Sequence, residues 1–401
     1  MTLVLAFGVI LLAAVLVSAL AHRSVLSTTI LFLAGGIALG SLGFHAVDMD
    51  VRDPVVREFA VLALFSVLFT DALRIDAGDL RRAWHLPGRA LLLGMPLTFG
   101  ALAVLAHSFV GLPWGPASLV AAVLSPTDPV FSAAIVGRKE IPHRLRHLLN
   151  VESGLNDGLA LPVVLVLIAV VDRKAVHAPH LVAELLLGVG VGFVVPMIAI
   201  ALERRSWLAS TAQYAPLNAF AIAVIVFALC RLTEANEFLA AFTAGITVAA
   251  LSPQARDSFG EFGELLSELL KLAAVMIFGT VLTTQMVHTI SIGGFVFAAA
   301  ALLVARPVGI QISLIASGVD WRERAAASWF GPKGFASVVY GLLILESTTA
   351  RSTELFALIA TVITASIVAH SSTDVLVAQW FARRAAPDAA GADPSTPLSK
   401  T

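Results

Sequence analysis

Five polar or charged side chains crowd into nine residues of an otherwise apolar run, NVESGLNDG at 150–158. Ser153 and Asp157 are four residues apart and share one helical face, while Glu152 and Asn156 share another about 100° away. The first face offers a carboxylate and a hydroxyl to a cation. The second offers a carboxylate and an amide to neighbouring helices. Upstream, SPTDP at 125–129 holds two prolines that cannot donate backbone hydrogen bonds. A helix opens there and frees carbonyls around Thr127, and the Asp128 carboxylate can meet the positive end of a half-helix. Downstream, GPKG at 331–334 should open its own helix, with the Lys333 ammonium compensating the exposed carbonyl ends. A simple proline kink is the plainer reading of either motif alone.

The elements that carry these residues are membrane spans. Apolar residues make up 58% of the 401 and charged residues only 13%, against roughly 45–50% and 25% in soluble domains. Cutting at charged and Pro/Gly-marked loops gives thirteen spans: 3–20, 25–43, 57–73, 90–110, 116–136, 148–171, 181–202, 214–231, 236–252, 263–283, 292–316, 325–345 and 354–381. With flanking residues each is close to the ~20 needed to cross a bilayer. The first run lacks a basic leader and reads as a retained helix. Residues 1–385 are expected to form one transmembrane domain, and 386–401, rich in Ala, Pro and Ser, a short disordered tail with no soluble regulatory domain after it. A lone Cys230 excludes a disulfide framework, and a net charge of −1 argues against a nucleic-acid partner.

Thirteen crossings place the termini on opposite sides. Seventeen of the 26 basic residues fall on the side holding the C-terminus, which the positive-inside rule makes cytoplasmic, with the N-terminus outside. Spans 1–6 and 8–13 have similar lengths, with span 7 between them, so the halves would run in opposite directions. In each half the fifth span carries the Gly/Pro interruption. Paired broken helices in inverted halves point to a secondary transporter's binding site. Counted at 1.5 Å per residue, Asp157 and Asp128 each lie ~15 Å from the cytoplasmic loops, with Lys333 and Arg306 near the same midplane layer. Such residues should pair with one another or line a cavity. Gluing helices together would also account for Arg306 and Lys333. Lys271 reads as a snorkelling lysine, His370 as a helix-packing group, and Glu234 and Glu237 as external loop residues.

ESGLNDG preceded by SPTDPV resembles the first cation:proton antiporter family, the NhaP/NHE type. The likeness extends to FLAAFTAG at 238–245, to the R-x-x-G of Arg306–Gly309 and to GPKG, which replaces a more usual G-x-R-G. It implies the NhaA/NhaP-like antiporter fold: an all-α membrane protein of about 13 helices, with two inverted six-helix repeats and broken fifth helices. It implies a homodimer joined through spans 1–3 and 8–10, and a moving core of spans 4–6 and 11–13. By the same resemblance Asp157 binds cation and proton in turn, Ser153 and Thr127 supply oxygen ligands, Asp128 lies close by, Glu152 pairs with Arg306, and Asn156 supports the broken fifth helix. Asn156 stands where electrogenic relatives carry a second aspartate. Lys333 keeps the charge of the usual arginine but loses its two-pronged fork. Asp71, in LFTDAL, sits one position from the acidic residue that many prokaryotic relatives aim at the ion path, which makes it a candidate entrance residue.

The function expected is exchange of Na⁺, or Li⁺ or K⁺, for H⁺ across the cytoplasmic membrane by alternating access, electroneutral and serving pH homeostasis, without a cofactor. A K⁺/H⁺ antiporter of the same fold is the alternative. A cation channel would also use midplane acids, but broken helices in inverted halves favour alternating access. An intramembrane hydrolase with Ser153 as nucleophile would need a base that GLND does not supply, so no enzyme is expected.

Overall fold

The computed structural model describes residues 1–21, 28–49, 53–75, 84–128, 141–172, 178–205, 211, 214–347, 349 and 351–390. Among them the chain is helical, with no strand. In chain order the helices are α1 Thr2–Ala21, α2 Thr28–Leu39, α3 Pro54–Leu73, α4 His85–Val110, α5 Trp114–Leu124, α6 His143–Val171, α7 Ala178–Glu203, α8 Ala215–Thr233, α9 Glu237–Leu251, α10 Pro253–Val281, α11 Thr284–Thr289, α12 Ile292–Ser313, α13 Trp321–Trp329, α14 Phe335–Glu346 and α15 Ser352–Ala390. Each expected span coincides with a helix or with helices flanking a non-helical stretch, save that 129–136 of the fifth span lie outside the described residues.

Local chemistry sets many of the ends. Asp53 caps α3 by accepting the Val55 N–H at 2.8 Å, with Pro54 in the first turn. Asn236 caps α9 through Leu239 at 2.9 Å, and Ser291 caps α12 through Gly294 at 3.2 Å. Each side chain replaces a partner that the first turn cannot find within the helix. α10 starts at Pro253, well before the apolar stretch expected from 263, because Ser252 caps it and its polar first turns stay amphipathic. At the other end of the chain, α15 runs to Ala390, so residues 386–390 continue a helix where a disordered tail is expected; 391–401 lie outside the described residues.

By length and composition, α4, α6, α7, α8, α12 and α15 could each cross a membrane, and α1, α2, α5, α9 and α14 contain shorter apolar helices. The third and tenth expected spans, α3 and α10, meet neither measure because each carries three or more charged residues. Among these are Asp71 and Lys271.

Packing divides the helices into two groups. α1, α2, α3, α7, α8, α9 and α10 lie chiefly on one another, as do α4, α5, α6, α12, α13, α14 and α15. Along the seam between the groups, α3 meets α6 and α14, α9 meets α6, α10 meets α14 and α2 meets α15. Spans 1–3 and 8–10 thus pack together, joined by the seventh. Small residues allow the close approaches. Gly36 of α2 and Gly279 of α10 face each other, so that a Cβ on Gly279 would press on the Leu33 carbonyl at 2.7 Å and on the Gly36 Cα at 3.0 Å. Close glycine contacts bring backbones together where lipid gives helices no hydrophobic drive to associate.

Two helices each contain one π-helical turn ahead of a proline: Ala90–Gly94 before Pro96 in α4, and Ala301–Ala305 before Pro307 in α12. These are the fourth spans of the two expected halves. They also pack on each other, with Gly309 against Thr98 and Gly94.

Replacing Gly279 by Val should force α10 away from α2 and lower the stability of the purified protein by ~1–3 kcal/mol. Thermal unfolding in detergent measures it, with Gly260→Val, where a Cβ would meet open space, as the neutral control.

Candidate functional site

The site forms where two stretches leave the helical path. α5 stops at Leu124, and Ser125–Asp128 continue without helix; Pro129 and the rest of that span lie outside the described residues. α13 stops at Trp329, and Phe330–Gly334 run non-helically into α14. The two stretches are joined directly, the Asp128 N–H donating to the Pro332 carbonyl at 3.0 Å.

Backbone groups released by the breaks find partners on neighbouring elements. The Val123 carbonyl, in the last turn of α5, accepts from the Ser337 hydroxyl of α14 at 2.7 Å. At the end of α13, the Ala327 and Phe330 carbonyls accept from Arg306 Nη2 at 3.3 and 3.1 Å, and the Trp329 carbonyl from His370 Nε2 at 2.8 Å. The Lys333 N–H donates to Ser366 Oγ at 2.7 Å. The first turn of α14 offers the Phe335 N–H to Asp128 Oδ2 at 3.3 Å, placing a carboxylate at a helix N-terminus. Lys333 was expected to compensate the free carbonyls. Its ammonium is buried and makes no hydrogen bond among the described residues, and Arg306 and His370 cap the end of α13 instead. The reason is geometric: a guanidinium offers several N–H groups in a fixed fork and reaches two carbonyls and a carboxylate together, whereas an ammonium is a single point of charge.

The glycines of GPKG supply room. A Cβ on Gly331 would collide with the Arg306 guanidinium, and one on Gly334 with the Asp128 carboxyl group. Neither glycine has a positive φ, so close approach, and not backbone freedom, accounts for them.

α6 brings NVESGLNDG to this crossing. Glu152 faces Arg306 in a two-pronged pair at 2.7 and 3.1 Å. Asn156 Nδ2 donates to Thr127 Oγ1 at 2.8 Å, and Thr127 Oγ1 lies 3.2 Å from Ser153 Oγ. Ser153, Asn156 and Thr127 therefore form one buried polar cluster beside Asp157. The Asp157 backbone carbonyl accepts from Tyr340 of α14 at 2.7 Å. Its carboxylate, on a residue 5% exposed, makes no hydrogen bond or salt bridge among the described residues.

Lys271 differs from its expected role. It does not snorkel: it is 2% exposed, and its Nζ lies 3.3 Å from Asp71 Oδ2 and 3.5 Å from Asp128 Oδ1. Asp71 thus sits in the site, its side chain 14% exposed, bound to that lysine. Sequence reasoning missed Lys271 although charge balance held the signal. Glu152, Asp71, Asp128 and Asp157 outnumber Arg306 and Lys333 by two, and one more base was available in a neighbouring span. His370 packs between Trp329 and Ser366 and is not engaged with Ser153, whose hydroxyl faces Thr127.

The Glu152–Arg306 pair is buried, so removing one partner should strand the other charge. Glu152→Gln or Arg306→Gln should each lower stability by ~3–5 kcal/mol. The double replacement should recover part of that loss, with the Ala327 and Phe330 carbonyls still short of a donor. Thermal unfolding of the four proteins as a double-mutant cycle gives the coupling; additive losses would mean the pair does not act as one.

The chain resembles known proteins along nearly its whole length. Residues 9–379 match the transmembrane sodium/hydrogen exchanger family. A K⁺/H⁺ antiporter NhaP from Alkalimonas amylolytica is 24% identical over 408 residues, covering 98% of this chain and 69% of that one. A K⁺/H⁺ antiporter NhaP2 from Shewanella baltica is 23% identical over 81% of this chain, and a probable Na⁺/H⁺ antiporter from Schizosaccharomyces pombe 23% identical over 75%. This chain spans only 57% and 43% of those two relatives. In structure it resembles the sodium proton antiporter MjNhaP1 from Methanocaldococcus jannaschii, with a TM-score of 0.73 over 95% of this chain and 98% of that one at 16% identity, a likeness of fold. With the family match covering nearly the whole chain, this protein belongs to the sodium/hydrogen exchanger family.

Proposed function

We propose that the protein is a secondary antiporter exchanging a monovalent alkali cation (Na⁺, Li⁺ or K⁺) for H⁺ by alternating access, with Asp157 holding cation and proton in turn. One observation carries the reading. Among the carboxylates of the site, Glu152 is held by Arg306, and the part-buried Asp71 and the buried Asp128 by Lys271, while that of Asp157 has no hydrogen-bond or salt-bridge partner among the described residues. An unpaired buried carboxylate is costly, so it takes up either a proton or a cation. Because one group serves both, the two substrates exclude each other, which is the condition for exchange. Ser153 and Thr127 Oγ stand beside it as neutral oxygen donors of the kind that suits a hard alkali cation. The relatives' names, K⁺/H⁺ and Na⁺/H⁺ antiporter, support the class of reaction.

The proposal extends to the setting. Residues 1–385 act as one transport domain in the cytoplasmic membrane, with the N-terminus outside and the C-terminus in the cytoplasm. Two copies associate through the group that contains α1–α3 and α8–α10, and the group that contains α4–α6 and α12–α15 moves against it. Asp71 lies at the entrance. Asn156, bound to Thr127, carries no charge, so the motif contributes one exchanging carboxylate and one cation is traded for one proton.

In proteoliposomes loaded with a pH-sensitive dye, Na⁺, Li⁺ and K⁺ titrated separately should each reveal whether they dissipate a proton gradient, saturably and without current. A current would indicate a channel. Asp157→Asn keeps the shape but cannot ionise and should abolish exchange; near-normal rates in that variant would sink the mechanism.

One-for-one exchange moves no net charge. A K⁺/valinomycin potential imposed at fixed pH gradient should therefore leave the Na⁺/H⁺ rate almost unchanged, whereas a net transported charge would feel ~2.3 kcal/mol per 100 mV.

A further inference from the structure

We propose that Lys271 is an internal cation that competes with the transported cation for the carboxylates of the site and thereby sets its apparent affinity. The inference rests on the antiport reading and adds a residue that the exchange motifs do not contain.

Its geometry differs from that of a structural ion pair. Arg306 grips Glu152 with two parallel bonds, at 2.7 and 3.1 Å, and two carbonyls besides, all within one packing group. Lys271 shares one ammonium between two carboxylates at 3.3 and 3.5 Å, both longer than the ~2.7–2.9 Å of a tight charge-assisted bond. One of these, Asp71 on α3, belongs to its own packing group. The other, Asp128, belongs to the opposite group and lies on the broken segment that adjoins Asp157. The lysine thus reaches across the seam on which alternating access depends.

Charge completes the argument. The groups facing Lys271 are Asp71 of α3, Asp128 of the broken segment and, within electrostatic reach, Asp157 of α6. Three carboxylates set against Lys271 and against Lys333, whose charge also acts on Asp157, leave room for about one more positive charge. An ammonium on a flexible stem carries the same unit charge as an alkali cation and can shift between oxygens as the cation arrives. With Lys271 neutralised the carboxylate set would hold a cation more tightly and release it more slowly.

The test compares wild type, K271Q, K271M, K271R, D71N and D71N/K271Q at one fixed pH. Two readouts are used: Na⁺-dependent exchange in proteoliposomes, and the NaCl concentration, against choline chloride, that half-maximally stabilises the purified protein to heat. K271Q and K271M should lower KM and the half-maximal NaCl concentration on the order of tenfold, the scale of one charge acting through a partly screened interior, and kcat should fall. K271R should stay within about twofold of wild type, since the charge is kept. D71N leaves the ammonium to Asp128 and Asp157 and should raise KM several-fold, and D71N/K271Q should return it below wild type. A mere strut would reduce stability and the active fraction while leaving KM unchanged, so an unchanged or raised KM in folded K271Q overturns the proposal. Should K271Q and K271M fail to fold, an unchanged or lowered KM in D71N overturns it and a raised one supports it. Wild-type protein without exchange would defeat the antiport reading itself, a result distinct from any of these.

Discussion

Peptide groups that leave the helical path inside a hydrocarbon layer have no water to turn to, and the architecture of this site follows from how they are satisfied. Ser125–Asp128 and Phe330–Gly334 solve the problem jointly. Each half supplies what the other lacks: an N–H from Asp128 for the Pro332 carbonyl, a hydroxyl from Ser337 for the Val123 carbonyl, and a helix N-terminus at Phe335 for the Asp128 carboxylate. Neither broken segment would be stable in lipid alone. The crossing is therefore a single joint, and the glycines at 331 and 334 are what allow it to close.

The buried charges are arranged by the same economy. Arg306 serves two purposes, neutralising Glu152 and capping α13, so the bracing face of α6 and the broken twelfth span hold each other in place. His370 adds the third capped carbonyl and ties α15 to the same end. This leaves Asp157 on a rigid platform, with its backbone carbonyl fixed by Tyr340 and its carboxylate uncommitted. Preorganised surroundings around one uncommitted group suit the proposed exchange, in which the site takes up two different cations without rebuilding itself.

Much of this was legible in the residue pattern, for physical reasons. Charges in an apolar run are too costly to be accidental, so Asp157, Glu152, Asp128, Arg306 and Lys333 stood out by type alone. Helical spacing separated the two faces of α6 because i, i+4 geometry is local. The prolines announced the breaks, since a missing N–H needs no tertiary context. What stayed hidden depends on three-dimensional proximity. Ser337, Ser366 and Tyr340 look like ordinary polar residues of apolar helices until their partners are seen, some 30 to 210 positions away. Lys271 misled because its helix starts in polar sequence, where a long cation reads as reaching for the surface. The capping of α13 by Arg306 and His370, instead of by Lys333, could not be read from spacing at all.

The wide turn at Ala301–Ala305 bears on all of this in one further way. Through and beyond it one line of buried positions of α12 advances by fours, Ala301, Ala305, Gly309 and Ser313, with Arg306 and Ile310 buried beside it, where a regular helix would drift away from its face at that interval. The turn holds one residue more than regular winding needs, and that surplus decides the direction in which Arg306 points. Orientation is stored in residue count. Substitutions along α12 can weaken the grip of Arg306 on Glu152, but a change in chain length within these five positions would re-aim it by roughly 100°. This stretch of the chain should tolerate many side chains at its exposed Leu303 and Val304, few at its buried Ala301 and Ala305, and very few insertions or deletions anywhere.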